Sequence, residues 1–429
     1  MLQVNYILTS FLAIYILQFI FSFWLERINL EYMKRYGSRV PLFFEGILIE
    51  EKLSQITAYT RAKTRLGLVS DLTSQAILLA LILSGFMPAL GNRLEDAQFH
   101  FILSGFLFFM IPGFILYLAE LPFDYYHSFV VEEKFGFNRS TLVLWIMDHV
   151  KSGMISIILF ALLLSAVLSV IRISPTLWWL WAFLIVSAVQ LTLVVLYPIL
   201  IAPIFNKFEP IQDEELSEKI KNLMEENGIK VKKILQMDAG LRSRHTNAYF
   251  TGIGKTKQIV LFDTLIESHS HEEILSVLAH EVGHFKAKHV PKQLLFFELS
   301  MLVGFYLTYR LMEWPLMYST FGFHASQVYA GLFIIGILWQ KAGFFLQPFY
   351  TALSRRFERQ ADLFASSFLK TPDFLIAALK KIALDNLSNL TPHPLYVVFH
   401  YSHPPLVERI GLLETEGHHM ESMRNNASK

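Results

Sequence analysis

The chain has no cysteine among its 429 residues, and that absence removes a branch of chemistry. Disulfides, thiolate nucleophiles, zinc–thiolate sites and lipidation of a cysteine in this chain are all excluded. Any metal has to be held by His, Asp and Glu. Charge is scarce too: 17% of residues are charged against 53% hydrophobic, with 38 phenylalanines and a mean hydropathy of +0.42. A soluble domain carries closer to a quarter charged residues, so this composition places the chain in a membrane. A formal net charge of +1 offers no basic field to a nucleic-acid backbone, and nucleic-acid partners are set aside.

Long apolar runs supply what the charges do not. A span needs roughly 20 mostly apolar residues to cross about 30 Å of hydrocarbon. Seven stretches qualify, near 4–24, 72–91, 99–119, 152–171, 177–199, 294–312 and 328–349. The first has no Lys or Arg ahead of its apolar core, and Glu26 and Arg27 close it without a small-residue cleavage site, so it is read as a retained span rather than a signal peptide. Glu298, Arg310, Gln340 and Lys341 fall in the last two spans, where polar groups are costly in lipid, and are expected to face an interior.

The connecting loops alternate in charge. Residues 25–71 carry Arg27, Lys34, Arg35, Arg39, Lys52, Arg61, Lys63 and Arg65, and 120–151 carry Lys134, Arg139 and Lys151. By contrast, 92–98 and 172–176 hold only Arg93 and Arg172, and 313–327 has neither Lys nor Arg. The positive-inside bias then puts the basic loops, the 200–293 region and the C-terminus in the cytoplasm and the N-terminus outside.

Two regions are polar enough to fold in water, which divides the chain into spans one to five at 1–206, a polar region at 207–290, spans six and seven at 291–350 and a helical C-terminal region at 351–429. The first polar region opens with the acidic helical stretch DEELSEKIKNLMEENGIK, stopped by Gly228. A strand pair in KKILQMDAG and NAYFTGIGKTKQIVLFDT follows, with Gly252 and Gly254 as its expected hairpin turn. Then comes the helix HSHEEILSVLAHEVGHFKAKH, punctuated by Pro291 before span six. No repeat or low-complexity linker separates these pieces, so they read as caps on one membrane body.

Within that helix, His280 and His284 lie four residues apart on one face and can present both imidazoles to one ion, with Glu281 beside them as a base. That is a zinc-hydrolase pattern short of its third ligand. His289 is nearest, but the three-histidine spacing HExxHxxGxxH needs Gly at 287 and His at 290, where this chain has Ala287 and Val290; His289 is therefore assigned to the surface. The alternative is SRRFERQADLF at 354–364, which offers Glu358 with Asp362 one turn later. Spans six and seven form a hairpin that returns the chain to the side it left, bringing Glu358 to the histidines. Asp362 is then placed to hold the distal N–H of a liganding imidazole. The competing reading of Glu358 is an ion-paired helix face among Arg355, Arg356 and Arg359.

At this point the chain resembles the type I CaaX prenyl endopeptidases, integral-membrane zinc proteases of the glutamate-zincin clan. The resemblance is carried, in order along nearly the whole length, by YTRAKTRLGL at 59–68, FVVEEKFGFNRST at 129–141, YPILIAPIFNKFEPI at 197–211, RHTNAYFTGIGKTKQIVLFDTLI at 244–266, AHEVGHFKAKH, SRRFERQAD at 354–362 and YSHPPLVERI at 401–410. It implies a mainly α polytopic fold of about seven transmembrane helices around a water-filled chamber, with a small α+β zinc-protease cap on the cytoplasmic side. It implies one Zn2+ held by His280, His284 and Glu358, Glu281 as general base, and cleavage of a peptide after a prenylated C-terminal cysteine. It also suggests His403 as oxyanion stabiliser, and Asn247 and Arg409 as substrate-binding or site-orienting groups. A strand at 248–250 is a candidate to pair with an extended substrate.

Two other readings stay open beside this one. A quality-control protease without prenyl specificity would use the same chemistry. A channel, transporter or scaffold with Gln75, Gln190 and Lys341 along a conduit would keep zinc only as a structural ion. The endoplasmic reticulum and a bacterial inner membrane impose the same loop bias, and the closing residues MRNNASK contain no retention signal.

Overall fold

A backbone in hydrocarbon must satisfy its own polar groups, and an apolar run does so as a helix. The computed structural model describes residues 2–251, 256–323 and 327–427, and among them seven helices are long and apolar enough to cross a membrane. Helix α1 is Tyr6–Tyr36, α2 is Glu50–Leu83 and α3 is Phe86–Asp96. The break between α2 and α3 falls inside the stretch read from sequence as one span at 72–91: Gly85 takes φ +82, a left-handed turn that only glycine adopts cheaply. Helix α4 is Phe101–Tyr126, prolonged by a π-helical turn at His127–Glu132, and α5 is Leu142–Ile173. Then α6, Trp178–Leu196, runs through a second π turn at Tyr197–Ile201 into the short α7, Ala202–Phe205.

The polar region folds as expected around a helix and a sheet, with a different strand arrangement. The strands are β1 Phe208–Pro210, β2 Lys230–Met237, β3 Ala248–Thr251 and β4 Thr256–Phe262, and the helix between β1 and β2 is α8, Glu214–Glu226. Their order is β1-β2-β4-β3. The stretches read as one strand pair therefore supply three strands: β2 runs parallel to β4, and β3 pairs antiparallel with β4 on the edge of the sheet. The expected Gly252 and Gly254 turn lies outside the described residues.

Helices α9 (Asp263–Ser268), α10 (His271–Lys286), α11 (His289–Met312), α12 (Pro315–Thr320) and α13 (Val328–Leu369) follow, then α14 (Asp373–Asp385), α15 (Pro394–His400) and α16 (Leu406–Ala427). Span seven and the SRRFERQADLF stretch form one continuous 42-residue helix, α13, which rises from the membrane body into the cap. One apolar core joins Ile274 and Leu278 of α10, Leu216 and Ile220 of α8, Ile259 and Leu261 of β4, Ala365 of α13 and Ile56 and Tyr59 of α2. The cap is thus packed directly on the membrane body.

The polar residues of the spans divide. Lys341 is buried, donates from Nζ to Gln75 Oε1 at 2.6 Å and sits over the Tyr15 ring; Glu298 accepts a short hydrogen bond from Ser187. Arg310 departs from the expectation of an interior position: it lies near the end of α11 with its side chain 59% exposed, paired with Glu313 at 3.2 Å. A long side chain at a helix end reaches water without an interior partner.

Two adjoining cavities of about 1010 Å³ each run through the body and share Gln18, Asp71, Phe344 and Gln347 as lining residues. One opens on His403 and Arg409; the other reaches Gln190 and Ser300.

Candidate metal centre

Helix α10 starts from a reciprocal cap: Glu273 N donates to Ser270 Oγ at 3.2 Å and Ser270 N to Glu273 Oε2 at 2.8 Å. Its apolar stripe faces the core, which leaves His280 and His284, one turn apart, turned toward α13. Gly283 lets the two helices close. A Cβ there would meet Ala361 Cα at 3.0 Å and Phe364 Cβ at 3.1 Å.

The donor atoms converge across that contact. His280 Nε2 is 3.1 Å from His284 Nε2, His284 Nε2 is 3.2 Å from Glu358 Oε1, and His280 Nε2 is 3.4 Å from Glu358 Oε2. One donor from each residue lies within 4.8 Å of the other two. Glu358 Oε2 is buried without a hydrogen-bond partner among the described residues, a costly state that a cation would relieve. Two imidazoles and a carboxylate suit a small divalent transition-type ion.

Behind His280, its Nδ1 lies 2.8 Å from Asp362 Oδ1, and Arg409 holds Asp362 with two bonds, Nε to Oδ2 at 2.8 Å and Nη2 to Oδ1 at 2.6 Å. Both partners are buried. A proton on Nδ1 leaves the Nε2 lone pair facing the triad. Burial opposes charge on His280, but the carboxylates of Asp362 and Glu358 overcome it and raise its pKa to about 9 in the metal-free site. Burial pushes the Glu281 carboxyl above its usual range, against the pull of His280 and His284.

His403 stands at the mouth of the first cavity, its Nε2 3.4 Å from Glu358 Oε1 and its Nδ1 2.9 Å from Ser402 Oγ. Its ring is open to that cavity, yet the protein around the cavity withholds bulk water; this desolvation lowers its pKa against the pull of Glu358. Its loop is pinned by buried Arg355, which donates to Val397 O at 3.0 Å and Tyr401 O at 2.8 Å. Arg359 bonds Glu408. Arg355 and Arg359, two of the three arginines near Glu358 in sequence, thus bond elsewhere, and Arg356 is exposed.

Asn247 is exposed and stays with its own strand. Its Oδ1 accepts from Ala248 N at 2.8 Å and its carbonyl from Phe262 N at 3.1 Å, at the start of edge strand β3.

The surface assignment of His289 is overturned. It is 1% exposed, and its Nδ1 lies 3.0 Å from His284 Nδ1. The reason is a break in the helix: Lys288 takes φ +56, so α10 ends at Lys286 and His289 starts α11, folded back behind His284. Gln360, which bonds His289 from α13, was missed altogether. Neither position has a spacing that sequence reasoning recognises.

Comparison with known proteins places this geometry. The family described as "CAAX prenyl protease N-terminal, five membrane helices" matches residues 29–207, and "Peptidase family M48" matches 210–416. CAAX prenyl protease 1 of Saccharomyces cerevisiae is 34% identical over 413 residues, 90% of each chain. The chain belongs to the CAAX prenyl protease family of M48 peptidases. The crystal structure of Ste24p from S. mikatae superposes with a TM-score of 0.88 at 31% identity, covering 94% of this chain and 97% of that one. An uncharacterized metalloprotease of Bacillus subtilis, YhfN, is 29% identical over 369 residues, 85% of this chain and 86% of that protein. As a member of this family, the protein is a multi-pass membrane metalloprotease that acts on peptides.

Proposed function

We propose that this protein is a zinc endopeptidase that removes the C-terminal tripeptide following a prenylated cysteine. One observation carries the reading: His280, His284 and Glu358 converge from two helices next to Glu281, directly behind His403, which lines the first cavity and lies 3.4 Å from Glu358 Oε1. One donor atom from each of the three residues lies within 4.8 Å of the other two, near enough for a single zinc ion to be held by all three.

When bound, zinc supplies Lewis acidity toward the scissile carbonyl and acidifies the attacking water. The chain's own residues do the rest. His280, His284 and Glu358 hold the ion, while Asp362 and Arg409 keep the His280 proton on Nδ1. Glu281 takes the proton from the attacking water and passes it to the leaving amine, a double duty that suits a carboxyl raised by burial. His403 is kept neutral by its lowered pKa, and with Ser402 Oγ–H donating to its Nδ1 it carries its proton on Nε2, ready to donate to the oxyanion. The edge strand β3, entered at Asn247, accepts an extended substrate as an added strand. The second cavity, with Leu294, Phe296, Phe297 and Phe349 on its wall, accommodates an isoprenoid tail. The basic loops orient the zinc end toward the cytoplasm.

Glu281→Ala tests the chemistry: the variant keeps its zinc and loses cleavage by about 100-fold or more, the range of a lost general base. A variant that still cleaves would return the site to a structural role. Matched farnesylated and unmodified peptides, with and without a chelator, test the substrate. A second reading, quality control without prenyl specificity, keeps the same site chemistry, and the Bacillus subtilis relative is described only as a metalloprotease. Equal chelator-sensitive turnover of both peptides would favour it.

A further inference from the structure

We propose that His289 is a positioning residue for the metal ligand His284, acting through a hydrogen-bond relay that ends on Gln360. The inference rests on the metal centre described above and concerns how one of its ligands is aimed.

His289 Nε2 lies 2.9 Å from Gln360 Oε1, and His289 Nδ1 lies 3.0 Å from His284 Nδ1. A carbonyl oxygen only accepts, so the His289 proton sits on Nε2 and its Nδ1 carries a lone pair. Two ring nitrogens 3.0 Å apart on the side away from the metal need one proton between them; with the His289 proton on Nε2, it comes from His284 Nδ1. His284 is thereby set with Nδ1–H behind and the Nε2 lone pair in front, and that Nε2 is the atom 3.1 Å from His280 Nε2 and 3.2 Å from Glu358 Oε1. Running the relay the other way would put a proton on His284 Nε2, between the ligands. Phe357 stacks on the His289 ring at 4.2 Å and 11°, which holds the ring in the plane the relay needs.

The two histidine ligands are therefore backed differently. His280 Nδ1 faces, at 2.8 Å, a carboxylate clamped by Arg409, and His284 donates to a neutral imidazole. A carboxylate partner raises ligand basicity and a neutral acceptor mainly fixes the tautomer and ring orientation.

Zinc affinity of the purified full-length protein, read by competition with a chromophoric chelator, separates the outcomes. His289→Phe keeps a ring on Phe357 but has no acceptor, and affinity drops about 10–100-fold. His289→Gln loses the ring but offers an amide oxygen to His284 Nδ1–H, and affinity returns to within a few-fold of wild type. A packing role alone predicts the reverse order, with Phe tolerated and Gln not. Gln360 is exposed, so Gln360→Leu leaves the fold intact and still lowers affinity, keeping the test alive should His289→Phe not fold. Wild-type affinity in both His289→Phe and Gln360→Leu would overturn this inference alone. Failure of the wild type to take up zinc would overturn the metal reading and this inference with it.

Discussion

His280 is pulled in two directions, and the balance sets a pH dependence. Its environment disfavours charge by burial, while Asp362 and Glu358 favour it strongly enough to raise the pKa from 6.5 to about 9. In the metal-free protein the charged form stabilises the fold; that contribution is complete below pH 6.5 and is lost as pH rises through about 9. Zinc needs the neutral ring and must displace the proton, so its affinity follows the opposite trend. Melting of the metal-free protein in detergent should fall in temperature as pH is raised across this interval. Chelator competition should show zinc affinity rising about tenfold per pH unit below the raised pKa, as expected for release of one proton. Flat affinity over the same range would mean that His280 is already neutral and that Asp362 and Glu358 do not face it as described.

At the scale of elements, the site is a contact between two helices of different origin. Helix α10 belongs to the cap and α13 rises into it from the membrane body, and their approach depends on a side chain that is absent at Gly283. Gly283→Ala would press a methyl on the Ala361 backbone, which cannot give as a flexible side chain can. The expected cost is about 1–3 kcal/mol of stability from overpacking, and cleavage should fall by about 100-fold if the ligands separate by an ångström. Gly153 on α5 meets nothing within 4 Å, so Gly153→Ala is the control and leaves both unchanged or slightly improved. Equal behaviour of the two variants in melting and peptide cleavage would show that the close approach at Gly283 is not needed.

At the scale of the whole molecule, the two cavities are the proposed route of substrate to the site, and the lack of native cysteine makes that route measurable. A single cysteine at Gln347, where the two cavities meet, should react with a charged methanethiosulfonate reagent added on the site's side of sealed vesicles. One at Leu162, 66% exposed on the outside of α5, should be shielded by lipid. Labelling at Leu162 and protection at Gln347 would invert the assignment of chamber and lipid face. Three stretches distant in sequence also meet beside this chamber. Tyr59 of α2 donates to Glu132 in the π turn at 2.6 Å, and His245 before β3 stacks on Phe137 at 4.4 Å.

The sequence by itself determined the membrane class, the helical spans and the HEVGH helix with its candidate carboxylate. Hydrocarbon length and 3.6-residue periodicity are local properties, readable without knowing what packs against what. The order β1-β2-β4-β3, the continuity of α13 and the break at Gly85 needed the structure, since each depends on neighbours far along the chain. The same holds at the site. Glu358 could be proposed from topology, but its convergence with two imidazoles, the clamp of Arg409 on Asp362 and the place of His289 behind His284 are distances between helices. Only the tertiary structure decided these, because a left-handed turn at Lys288 and a missing Cβ at Gly283 set which atoms meet across space.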